Sequence, residues 1–215
     1  MTWHVCATGG RCIAPCLALL SAALLSACAS SPPVQFYTLT PLAPQTPSVA
    51  SASMPAVRLN RVTIPAELDR LQMVRRIDST RLQIDDQNRW AAPVDEMVRR
   101  VLTGDLAARL PPNSVADANE SASGERLHDL AVDIQEFYAD HSCAVTLRST
   151  WVLSPAPTMG TRAQGSRSPS RQASAEIAVP SAGGCSGPQA IPEAMSQALA
   201  LLSDHIAADI GALGH

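Results

Sequence analysis

Lysine is missing from this chain: every one of its 16 basic residues is arginine. Without lysine neither a Walker A phosphate loop nor a Schiff-base or Ser-Lys mechanism is possible, so the chain is not itself an ATPase. Aromatic residues make up only 3% of the sequence, which leaves no surplus to line a large lipid cavity. Also absent are the G-x-S-x-G elbow, the H-E-x-x-H helix and any Cys-x-x-Cys pair. With 16 basic against 19 acidic residues and no basic block, nucleic acid is not an expected partner. No apolar run reaches the roughly 20 residues that a membrane-crossing helix needs.

The longest apolar run, residues 13–27, reads IAPCLALLSAALLSA and fits the core of a signal peptide. It ends in Leu25-Ser26-Ala27-Cys28, which resembles the lipobox of bacterial lipoproteins. That resemblance implies cleavage before Cys28 and acylation of its thiol, the nucleophile at the junction able to form a thioether. Residues 1–27 are then a lipoprotein signal peptide, residues 28–55 a lipid-anchored tether containing a first strand, and residues 56–215 one globular domain. More than one acyl chain makes such an anchor stable. Ala29 follows the cysteine, where Asp in the lipoproteins resembled signals inner-membrane retention, so outer-membrane sorting is expected.

Along the rest of the chain the period of the apolar residues changes several times. Residues 56–65, AVRLNRVTIP, are β-branched, and their apolar phase shifts between Leu59 and Val62, which calls for a bulge or burial on both faces. Residues 73–78 and 81–85 read as a hairpin about Ser79-Thr80. Residues 90–110 turn helical: Val94, Met97, Val98, Val101, Leu102, Leu106 and Leu110 share one face. Asp95/Arg99, Glu96/Arg100 and Asp105/Arg109 form i,i+4 pairs on the other, a solvated surface or a docking face. Residues 112–125 read as a polar loop. Residues 127–138 alternate, with Leu130, Val132, Ile134 and Tyr138 on one side, and residues 143–153 alternate again. After a low-complexity loop at 154–170, residues 171–179 form a third strand, and Ile191 to Leu213 repeat at helical spacing from an opening near Pro192. The fold class is α/β: a mixed β-sheet of about five to seven strands with two main helices packed on it, in a single domain.

Beyond the leader and its junction only Cys143 and Cys185 remain. If residues 143–153 and 171–179 pair as an antiparallel hairpin, the two lie close enough for a disulfide in an oxidising compartment; the alternative is two separate thiols with Cys143 buried. His141 and Cys143 at i,i+2 suggest a Cys-His pair or half a metal site, but no further ligand stands at suitable spacing. No cofactor, metal or catalytic residue is expected.

Several stretches taken together resemble one family. They are Ser-Ser-Pro-Pro after Cys28, Phe36-Tyr37-Thr38-Leu39, the run from Val62 through Pro65-Ala66-Glu67-Leu68-Asp69-Arg70, Gln72-Met73-Val74 with Arg76, and Asn88-Arg89-Trp90-Ala91 with Pro93. In that order they are similar to the ABC-type transport auxiliary lipoproteins of the PqiC (YmbA) family. The resemblance implies a non-enzymatic envelope protein that works beside an MCE-domain periplasmic protein in a system moving lipids or other hydrophobic molecules between inner and outer membranes. It also implies a homo-oligomer, a ring. The segment from Leu68 to Trp90 carries family-like residues without reading as core, so Asp69, Arg70, Arg76 and Trp90 are candidate partner contacts. Their alternative roles are structural: a turn at Leu68 to Arg70, and the start of a helix at Trp90 and Pro93. Rival functions are a purely structural outer-membrane lipoprotein and a lipid-anchored hydrolase.

Overall fold

A computed structural model describes residues 33–44, 54–117, 127–156, 170–181 and 184–213. The signal peptide, Cys28 and most of the 154–170 loop lie outside these residues. Val34–His215 forms one compact unit.

Its elements are β1 (Gln35–Tyr37), β2 (Ala56–Thr63), a 3-10 turn (Ala66–Leu68), β3 (Gln72–Arg76), β4 (Leu82–Trp90), α1 (Val94–Arg109), β5 (Val115–Asp117), β6 (Leu127–Ala139), β7 (Val145–Pro155), β8 (Arg171–Val179) and α2 (Ala190–Gly211). The eight strands make one mixed sheet. Its backbone is the antiparallel meander β6-β7-β8. The other edge of β6 is shared: β2 runs parallel along its first half and carries β5, while β3 joins at the far end through Arg75 and Ala139. From β3 the sheet continues antiparallel to β4 and then parallel to β1.

Both helices pack against this sheet. The apolar stripe expected of α1 is buried from Val94 to Leu106, and Trp151 Nε1 on β7 and Arg171 Nη2 on β8 both donate to the Asp209 carboxylate of α2, at 3.0 and 2.9 Å. No helix among the described residues is long and apolar enough to cross a membrane.

Four expectations need correction. The sheet has eight strands because Val115–Asp117, read from its polarity as loop, pairs with Val57, Arg58 and Leu59, and because β1 belongs to the sheet. The first helix opens at Val94 and not at Trp90, because β4 runs on to Trp90 and proline occupies the position before the helix. Residues 38–42 are not free tether: Leu39 is in the core, Thr40 N–H donates to Ser196 Oγ at 3.2 Å, and Leu42 N–H donates to Asp105 Oδ1 at 2.7 Å. Arg109 returns a bond to the Leu42 carbonyl at 3.1 Å, and a Cβ on Gly104 would stand 2.9 Å from the Pro41 ring. Residues 38–42 therefore form a strap held by both helices. Lastly, Asp105 and Arg109 are not on a solvated face. They are buried beneath that strap, with Arg109 Nε also donating to Asp204 Oδ1 at 2.6 Å.

Strand irregularities fall where the sequence loses phase. In β2 the register shifts between Leu59 and Arg61, as the apolar pattern requires. In β6 it shifts between Ile134 and Glu136. This second bulge turns Phe137 into the core in line with Leu130, Val132 and Ile134, and turns Tyr138 to the opposite face, reversing its expected side.

Candidate functional site

With the helices on one side, the other face of the sheet is open, and strand register decides what it presents. Paired residues share a face, so the bulge in β6 puts Glu136 and Tyr138 on the face of Arg148 of β7 and Glu176 of β8, with Tyr138 itself covered and only 5% exposed. Arg76 reaches them from β3. Its guanidinium lies 4.4 Å from the centroid of the Tyr138 ring, and Nη1 meets Glu136 Oε1 at 3.3 Å. The other Glu136 oxygen lies 3.5 Å from Arg148 Nη2, and Arg148 Nε lies 3.6 Å from Glu176 Oε2. A partly exposed chain of this kind contributes about 0–1 kcal/mol per ion pair, and the cation–π contact about 0.5–1 kcal/mol. Its main effect is to hold alternating charges in fixed positions on rigid strands.

Burial raises the Tyr138 hydroxyl's pKa and the nearby Glu67 carboxylate adds to this, against a smaller opposing pull from Arg76. Glu67 lies in the 3-10 turn that leads to Asp69 and Arg70, both exposed. The sequence-predicted contacts thus divide. Arg76 stands in the charged row, Asp69 and Arg70 are exposed just after the 3-10 turn, and Trp90 is only 4% exposed in the core. Trp90 therefore packs and does not offer a contact surface. Leu68, Met73 and Val74 are likewise buried, because β3 is an interior strand and not an irregular surface segment. Arg148 and Glu176 escaped the sequence reading, and Glu136 stood in it only as an isolated acid whose pairing the sequence could not supply. The available signal was Phe137, an apolar residue out of phase with the strand before it.

On the helix side a small cleft lies among Met73, Arg75, Asp85, Asn88, Ile191 and the bridge between Cys143 and Cys185. These cysteines are disulfide-bonded with Cα atoms 5.3 Å apart, so Cys143 is not a metal or nucleophile partner for His141. Partial burial pushes the Asp85 carboxyl up, but hydrogen bonds from the Asn88 side chain and the Asn88 and Gln87 N–H groups outweigh it, leaving the pKa below its ordinary value. Asp85 thus serves the backbone of a bulged strand. Among the described residues no group of three or more His, Cys, Asp or Glu could hold a metal ion.

The pattern expected from the sequence runs through this architecture, and a family model described as "ABC-type transport auxiliary lipoprotein component" matches residues 37–207. The chain belongs to the ABC-type transport auxiliary lipoprotein family. It is 26% identical over 138 residues to the intermembrane transport lipoprotein PqiC of Escherichia coli (strain K12), covering 64% of this chain and 72% of that one, and equally so to PqiC of Shigella flexneri. The fold is shared with a crystal structure of an uncharacterized protein, with TM-score 0.62, 20% identity, 83% of this chain covered and 99% of the other. It is also shared with a protein from Xanthomonas campestris, with TM-score 0.59, 17% identity and coverage of 80% and 92%. The auxiliary lipoprotein family match spans every described strand after β1 and most of α2, so the charged row and the strap both fall inside it.

Proposed function

We propose that this auxiliary lipoprotein is a non-enzymatic, lipid-anchored subunit of an ABC transport system, and that it binds an MCE-domain periplasmic protein directly. In this reading residues 1–27 are removed, Cys28 carries the acyl chains, and the domain faces the periplasm from the outer membrane as one copy in a homo-oligomeric ring. The partner handles the lipid or other hydrophobic cargo, and this subunit acts as a collar. The observation that carries the reading is the row Arg76, Glu136, Arg148 and Glu176, a set of alternating charges on rigid strands, with Asp69 and Arg70 exposed in the turn that leads into β3. Such a row favours a matching protein surface over a lipid cargo, because alternating fixed charges give orientation and specificity. The apolar residues of the opposite face pack against the helices, consistent with a subunit that holds no cargo of its own.

Replacing Asp69, Arg70 and Arg76 together by alanine tests the assignment. Co-purification with the MCE protein encoded beside this chain should fall by about tenfold or more, the scale of losing roughly 1.4 kcal/mol, while the thermal melt shifts little. Normal binding by the triple variant sinks the site. Failure of the wild-type protein to bind that MCE protein sinks the function.

A further inference from the structure

Six large hydrophobic side chains are exposed among the described residues, and five of them, Val34, Phe36, Leu71, Leu82 and Ile84, lie on or beside β1, β3 and β4. Register shows that several share the open face. Phe36 pairs with Arg89, Arg89 with Gln72, Ile84 with Val74, and Leu82 with Arg76. Phe36 is the most exposed of the six, at 62%, and occupies the three-residue edge strand. A solvent-facing phenylalanine at a sheet edge costs solubility unless something covers it.

The position of the patch in the chain identifies what covers it. Only five residues separate Cys28 from Val34, and six extended steps reach at most roughly 20 Å. On the lipid-anchor reading this corner of the domain therefore cannot leave the neighbourhood of the bilayer, whereas β8, at the opposite edge of the sheet, can. Arg89 beside Phe36 adds the cation that interfacial apolar residues use at phosphate headgroups.

We propose that the apolar patch around Val34 and Phe36 rests on the lipid bilayer into which Cys28 is anchored, fixing how the domain stands on the membrane. The proposal relies on the lipid-anchor reading and deepens it: the anchor supplies attachment, and the patch supplies orientation.

The test uses the full acylated chain in vesicles of phosphatidylethanolamine and phosphatidylglycerol with brominated acyl chains, which quench indole fluorescence on contact. A Phe36→Trp variant is compared with Ser174→Trp, whose exposed site on β8 lies at the opposite edge of the sheet from β1. Bromine should quench the added indole of the first at least about twofold more than that of the second, as burial of an apolar face at the headgroup boundary requires. Equal quenching of both, in protein that still floats with the vesicles, overturns the proposal and leaves the anchor reading intact. Protein that fails to float shows instead that the anchor reading is at fault, and the orienting role falls with it. An indole at position 36 that ignores bromine and shifts to the blue as protein density rises assigns the patch to contact between copies, which also overturns lipid docking.

Discussion

The two ends of the sheet bury one face alike and finish the other in opposite ways. Across β6, β7 and β8 the open face carries one row of charge against charge, with Arg148 opposite both Glu136 and Glu176, among rows of mostly small or polar residues such as Asp133, Thr150 and Ser174. Across β1, β4 and β3 it sets Phe36, Ile84 and Leu82 uncovered between Arg89, Gln72 and Arg76. The β6-β7-β8 end matches charge with charge in that row, while the β1-β4-β3 end leaves large apolar side chains exposed. Length explains part of the contrast. Strands of 13, 11 and 9 residues pair along most of their length, whereas the three-residue edge strand β1 covers only the Asn88 to Trp90 end of β4 and leaves Leu82 and Ile84 without a neighbour on that side.

The largest blow to this division comes from the bulge that creates it. Phe137 is fully buried only because β6 slips at Gln135, so Phe137→Ala should cost about 3–5 kcal/mol in denaturant unfolding. A loss under about 1 kcal/mol would mean that the charged row is not built by the bulge.

A smaller effect is expected at the strap, between the two ends. Burial raises the Asp105 carboxyl to about 6, against the Leu42 N–H and Arg109, while Asp204 pushes it further up. Because the folded value exceeds the unfolded one, the native state holds the proton more tightly. Stability should therefore fall as pH rises from about 4 to about 6 and then level off. The whole change is at most roughly 3 kcal/mol. Asp105→Asn should flatten that slope in a pH series of melts; an unchanged slope would assign it to other groups.

Least affected of all should be Arg148→Ala. Its two carboxylate partners are partly solvated, so a change of about 0–1 kcal/mol is expected, with salt sensitivity reduced. A loss above about 2 kcal/mol would show that the row carries stability and not chiefly recognition.

What could be read in advance follows the same divide. β8 is found where its alternation places it, and β7 begins two residues later than expected, because Cys143 adopts φ 63° in the turn before it. The stripe on α1 is legible because seven apolar residues keep one helical period. β5 was not, since a three-residue strand carries too few residues to show a period and owes its form to pairing with β2. Asp105 and Arg109 looked like a surface ion pair because an i,i+4 spacing says nothing about which chain segment later crosses over it. Of the candidate contacts, Asp69 and Arg70 are exposed and Arg76 reaches outward, but Trp90 was misplaced because residues near a motif need not share its face.

The strap also gives the molecule a mechanical character. Tension arriving along the N-terminal chain is met first by β1, whose few ladder bonds to β4 can open like a soft spring. It then reaches Leu39 in the core and the bonds of Thr40 and Leu42 to α2 and α1. The chain between the short edge strand and the helices is thus tied at three consecutive points, through Leu39, Thr40 and Leu42, so a pull from the N-terminal side would meet the core only after β1 has been peeled away.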